Sequence, residues 1–173
     1  EMACVSDVVM TNDPLNEHES EAWLQGLISD DRFHASLRLD PLLNDWSDTA
    51  KILKARDFDV DANLTTRSFG EVRRFLDDWI RRMRPLYLAV SLPADFQYPK
   101  DDHRTQLLRE VVLPTARDHS IAMGLMVGVR RGVNPALRSA GDGMGKADMT
   151  SLERICGEFG EVKFLATFLS REN

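Results

Sequence analysis

The sequence predicts an α/β protein, part of a (β/α)8 barrel with about five parallel strands and outer helices. Three observations predict it. Short apolar runs recur at Val5–Met10, Phe33–Leu39, Pro85–Leu92, Ile121–Val129 and Lys163–Leu169, each bounded by Pro, Gly, Asn or Asp. Helical patterns separate them, and a strand–helix alternation of this kind requires parallel pairing through right-handed crossovers. Finally, FHASLRLD alternates, with Phe33, Ala35, Leu37 and Leu39 on one face and His34, Ser36, Arg38 and Asp40 on the other. A doubly wound open sheet would cover both faces with apolar helices, so a polar face there is costly. A barrel has helices outside and an interior that turns polar toward its C-terminal mouth, and the alternation favours it.

The helices follow in order. Asn16 and Glu19 have capping-box spacing ahead of Trp23, Leu24, Leu27 and Ile28. Between Asp40 and Pro85 the connection is long. It holds a short amphipathic helix (Leu42, Leu43, Trp46, Ala50, Leu53), the polar loop KARDFDVDANLTTR and a second helix. In that helix Ser68 and Glu71 again have capping-box spacing, ahead of an apolar stripe of Val72, Phe75, Leu76, Trp79, Ile80 and Met83. Leu107, Leu108, Val111 and Val112 mark a third helix, bent by Pro114. Asp148 caps a fourth, whose face is Leu152, Ile155, Cys156 and Phe159. Residues 1–173 read as one partial barrel domain, with 41–84 a helical insertion between two strands.

Composition bounds the function. At 173 residues, 43% hydrophobic and 29% charged, the chain can bury a substantial core. Net charge is −6 and the pI about 5.2, which argues against a nucleic-acid face or a polybasic membrane patch. An anion would have to meet locally placed arginines. Cys4 and Cys156 make no disulfide framework and suit a reducing compartment; with no signal peptide or transmembrane run in the sequence, the expected location is cytoplasmic. The chain opens just before one apolar strand and stops just after another, which reads as a piece of a longer protein.

Several motifs bear on chemistry. AGDGMGK (Ala140–Lys146) fails as a phosphate loop, because Ala140 stands where Gly is needed and Ala147 where Ser or Thr is needed. The four histidines, His18, His34, His103 and His119, show no metal-ligand spacing, and no G-x-S-x-G elbow occurs. TNDP (Thr11–Pro14) is good turn chemistry, yet it follows a strand end, where barrels carry their sites. Arg38 lies on the polar face of its strand near the C-terminal end. An interior guanidinium must be paired, with Asp40 as the obvious partner, or must bind an anion. Arg130-Arg131 closes another strand, and at most one of the two can point inward.

At these residues the chain resembles a known family. MTNDPLNEHESEAWL, FHASLRLDPLLNDW, PLYLAVSLPADFQYP, VVLPTARDHSIAMGLMVGVRRGVNPALRSAGDG and FLATFLSREN together resemble the divergent branch of the uronate isomerases, amidohydrolase-type metal-dependent (β/α)8 barrels, across essentially the whole chain. The resemblance implies interconversion of D-glucuronate with D-fructuronate and of D-galacturonate with D-tagaturonate, a small-molecule uronate substrate and a homo-oligomeric parent. It also implies a divalent metal such as zinc. The family's metal ligands, a His-x-His after the first barrel strand and an Asp after the last, are not in this chain, so it is expected to be an interior fragment, inactive alone. Arg38 matches a family arginine associated with substrate, Asp13 falls on a family motif, and Arg130 and Arg171 sit in matching strand-end motifs; these four are the candidate substrate-binding residues. No catalytic base is assigned. Two alternatives stay open: a metal-dependent hydrolase on the same barrel, and a non-catalytic module that binds acidic sugars.

Overall fold

In a computed structural model, residues 4–26 and 30–172 are described; the predicted helix positions Leu27 and Ile28 lie outside them. The elements in chain order are β1 (Val8–Asn12), α1 (Glu17–Leu24), β2 (Phe33–Arg38), α2 (Asp40–Asn44), α3 (Trp46–Ala55), α4 (Thr66–Met83), β3 (Tyr87–Pro93), α5 (His103–Leu107), a π-helical turn (Leu108–Val112), α6 (Leu113–Asp118), β4 (Ala122–Arg130), a kinked 3-10 segment (Pro135–Gly141), β5 (Gly143–Met144), α7 (Met149–Glu158) and β6 (Phe164–Phe168).

Strands β1, β2, β3, β4 and β6 pair in parallel and in that order, so each crossover advances the sheet one step in the same direction. A doubly wound sheet would reverse direction at a switch point. Among the described residues there is none, and the sheet curls as part of a (β/α)8 barrel. All five predicted runs are strands. The first is displaced, Val8–Asn12 in place of Val5–Met10, so Thr11 and Asn12 belong to the strand and not to the turn after it.

One core lies outside the sheet. Leu37, Leu88, Val90, Leu92, Met123 and Leu125 from the strands bury against Val72, Phe75, Leu76 and Trp79 of α4 and against Leu107, Leu108 and Val111. Each large apolar side chain taken fully out of water contributes about 1.5–3 kcal/mol, so this layer is what seats the helices on the sheet. The opposite face carries Thr11, Arg38, Ala89, Ser91, Gly124, Met126 and Thr167, and Met126 and Leu165 there are exposed.

Local differences from the expected elements have local causes. The helix before β3 begins at Thr66, because Thr65 and not Ser68 is its N-cap: the Ser68 backbone N–H donates to Thr65 Oγ1 at 3.3 Å. Ser68 Oγ and Glu71 Oε2 instead accept from the backbone N–H groups of Asp61 (3.0 Å) and Asp59 (3.1 Å), so the expected box pins the incoming loop. The amphipathic segment after β2 is two helices, broken at Asp45, whose side chain caps the second. Pro114 lacks the N–H that Glu110 would need, and the turn before it widens, with Leu113 N–H bonding Leu108 O. Asn16 and Asp148 cap α1 and α7 as expected. No helix among the described residues is long and apolar enough to cross a membrane.

Candidate functional site

Successive residues of a strand point to opposite faces, so the sheet register fixes what lines the concave side. One row across four strands reads Arg38, Ala89, Gly124, Leu165, and the next row holds Ser91, Met126 and Thr167. Two small residues, Ala89 and Gly124, thus separate Arg38 from the far strand and leave a hollow. Behind it the Tyr87 ring leans over Gly124, where an added Cβ would stand 3.1 Å from the ring and 3.1 Å from Leu88 O. The result is a cavity of about 350 Å³ lined by Thr11, Arg38, Asp40, Tyr87, Ser91 and Thr167 among others. Ser36 Oγ, buried next to Thr11 in the sheet, has no hydrogen-bond partner among the described residues.

Arg38 is the cation of this cavity. Its side chain is 44% exposed, and its Nε lies 3.8 Å from Asp40 Oδ2, an attraction at longer than hydrogen-bond range. Among the described residues its guanidinium makes no shorter polar contact. Asp40 is only 16% exposed; Oδ2 accepts from Ser91 N–H at 3.3 Å and Oδ1 from Arg131 Nη2 at 3.2 Å. Sequence separations of 51 and 91 residues hide both contacts from a sequence reading.

Asp13 stands at the end of β1. Its Oδ1 accepts from Leu15 N–H at 2.9 Å, an Asx turn, and its own N–H donates to Glu19 Oε2 at 2.7 Å. Burial pushes its carboxyl above the usual range; the Leu15 N–H opposes this, the Glu19 charge adds to it, and Arg38 and Asp40 act with opposite signs. Asp13 therefore shares the electrostatic environment of the Arg38–Asp40 pair without lining the cavity. A raised carboxyl favours the protonated form in the fold, so stability from this group is present at low pH and is lost as pH rises through the folded value. Asp13→Asn keeps the turn acceptor and removes the buried charge. It is expected to raise the melting temperature at pH 7 and to have no such effect at pH 3; thermal melts at the two pH values check it.

The other two candidates are outside the lining of this cavity. Arg130 lines a second cleft of about 590 Å³ with Asp95, Arg131, Gly145 and Lys146, and of the two arginines Arg131 is the one that also contacts Asp40. Arg171 is exposed in the turn beyond β6 and is outside the cavity lining. Among the described residues no three His, Cys, Asp or Glu side chains gather as metal ligands. Two of the histidine rings are engaged elsewhere, His34 with Asp7 at 2.9 Å and His119 with Asp77 at 2.8 Å.

The residues around the hollow that sequence reasoning missed, Tyr87, Ser91, Gly124 and Thr167, had a signal. In PLYLAVSLP, Tyr87, Ala89 and Ser91 alternate with Leu88, Val90 and Leu92, so one face is already polar or small.

No protein-family model matches the chain, and no curated protein matches it. Solved structures do. A uronate isomerase from Bacillus halodurans C-125 superposes with a TM-score of 0.94 at 48% identity, over 97% of this chain and 40% of that one. A uronate isomerase from Thermotoga maritima (TM-score 0.71, 15% identity, 95% of this chain and 44% of that one) shares the fold, as does a glucuronate isomerase from Caulobacter crescentus (0.68, 14%, 95% and 41%). The chain thus spans less than half the length of each of these proteins. With 48% identity along 97% of its own length to the Bacillus halodurans structure, the chain belongs to the uronate isomerase family, as a segment of its barrel.

Proposed function

We propose that this chain is an interior segment of an enzyme that interconverts aldose and ketose uronates, D-glucuronate with D-fructuronate and D-galacturonate with D-tagaturonate. The observation that carries this is an arginine with an uncommitted planar fork, Arg38, facing a hollow at the C-terminal ends of parallel strands. Arginine suits the substrate carboxylate because its fork pairs with both oxygens. The hydroxyls of Thr11, Ser91 and Thr167 suit the sugar's own hydroxyls. Asp13, Arg130 and Arg171 belong to the same mouth in this reading, with residues 41–84 an insertion outside it.

The reaction moves one hydrogen from C2 to C1 and one from O2 to O1 through an enediol, so it needs an acid and a base but no redox partner. This chain's share is to fix the carboxylate and hydroxyl end, which holds C1 and C2 in place for the proton transfer. The described residues offer no fitting set of ligands for a divalent metal such as zinc, so we place its ligands in the rest of a longer protein, and no residue here is assigned as the base.

The test is an assay of both uronate pairs on the protein at full natural length and on the 173-residue chain alone. Turnover by the long form and none by the short one is expected. Turnover by the short chain, purified free of host isomerase, or none by the long form, would overturn the proposal.

A further inference from the structure

Asp40 has a nearby cation that it does not grip. Arg38 Nε is 3.8 Å from Oδ2, whereas Arg131 Nη2 donates to Oδ1 at 3.2 Å and Ser91 N–H to Oδ2 at 3.3 Å. Both carboxylate oxygens are thus occupied by other donors. Arg131 is fixed at its far side too: Nη1 donates to Asp142 Oδ2 at 2.5 Å, and Asp142 Oδ1 accepts from Gly132 N–H at 2.9 Å. A chain of alternating charge, Asp142–Arg131–Asp40–Arg38, therefore runs from the loop after β4 to the cavity.

Removing Arg131 would leave Asp40 with one backbone donor and one cation in reach. A carboxylate and a guanidinium in that position close to a bidentate, hydrogen-bonded pair. The fork of Arg38 would then be filled by the protein's own carboxylate, and an incoming carboxylate would have to displace it.

We propose that Arg131, anchored by Asp142, is a positioning residue that holds Asp40 away from Arg38 and so keeps the Arg38 fork open for the substrate's carboxylate. This rests on the reading that the cavity takes a uronate. Affinity falls by the fraction of molecules in which the fork is open, so Arg131→Met is expected to raise the Kd for D-glucuronate roughly 5- to 30-fold.

A structural role for Arg131 in holding the loop predicts a similar loss, and a second substitution separates the two. Adding Asp40→Asn to Arg131→Met removes the competing carboxylate and is expected to restore the Kd to within about threefold of the starting protein. A loop defect would not be repaired. If Arg131→Met fails to fold, Asp142→Asn loosens the same link from its far end and takes its place.

The experiment is calorimetric titration with D-glucuronate of the full-length protein and its single and double variants, with a crystal structure of Arg131→Met. Expected are weakened binding, rescue by Asp40→Asn, and an Arg38–Asp40 contact shortened to roughly 2.8 Å. Binding unchanged by Arg131→Met, no rescue, or a contact still near 3.8 Å would each overturn the proposal. No binding of D-glucuronate by the unsubstituted protein would sink the uronate reading instead, and the Arg38–Asp40 distance would then decide the role of Arg131.

Discussion

Replacing Arg38 with methionine in the full-length enzyme is expected to lower kcat/KM for D-glucuronate by roughly 30- to 4,000-fold, the equivalent of about 2–5 kcal/mol for truncating one side of a charge-assisted contact. Methionine keeps the volume of the stem and removes the fork. Arg38→Lys keeps the charge as a point and should recover only part of the loss. The fold should survive both, because Arg38 faces the cavity and makes no hydrogen bond among the described residues. Kinetics and melting temperature measured on the same Arg38→Met protein check this. Near-normal kinetics with a lowered melting temperature would make Arg38 a structural partner of Asp40.

Gly128→Ala is expected to produce a large loss of stability near the site. Gly128 has φ of +111°, outside the range a side chain tolerates, and an added Cβ would stand 2.8 Å from Gly145 O. It is the extra residue of a bulge: Leu92 pairs with Val127 and Pro93 with Val129. Its carbonyl also accepts from Gly145 N–H at 2.8 Å, which ties the loop carrying Arg131 and Asp142 back to β4. A backbone clash cannot be relieved by a rotamer change, so the expected loss is about 2–4 kcal/mol, or roughly 5–12 °C in Tm. Gly132→Ala is the internal comparison. Its φ is also positive, at +64°, but a Cβ there meets nothing within 4 Å. It should lose only the left-handed backbone cost of roughly 1–2 kcal/mol. Equal drops in Tm for the two variants would show that the contact with Gly145 carries no weight.

Strand order and the direction of Arg38 were legible because both depend on local patterns. The alternation in FHASLRLD places Leu37 in the core and Arg38 in the cavity, as the structure has them. What was not legible is set by contacts distant in sequence. Nothing near Asp40 announces Arg131, and nothing near Tyr98 announces Glu158, whose carboxylate accepts from the Tyr98 hydroxyl at 2.7 Å and from Arg109 at 2.7 Å. Tyr98 is buried, and this burial together with the Glu158 carboxylate pushes its hydroxyl up to about 12. Strand β5 was missed for a different reason: two residues, Gly143 and Met144, pair antiparallel with Arg130 and Val129, too short a run to show any period. The N-cap at Thr65 was missed because Ser68 offers the same chemistry three residues later, and only the approach of Asp61 shows that its hydroxyl is committed to the loop.

In the proposed function the concave hollow beside Arg38 receives a uronate by its carboxylate. The most direct measurement is a crystal structure of the full-length protein with D-glucuronate bound. Expected are both carboxylate oxygens within hydrogen-bond distance of the Arg38 guanidinium, with Asp40 still held by Arg131 and by Ser91 N–H. A uronate bound with its carboxylate on other residues, and Arg38 closed onto Asp40, would contradict it.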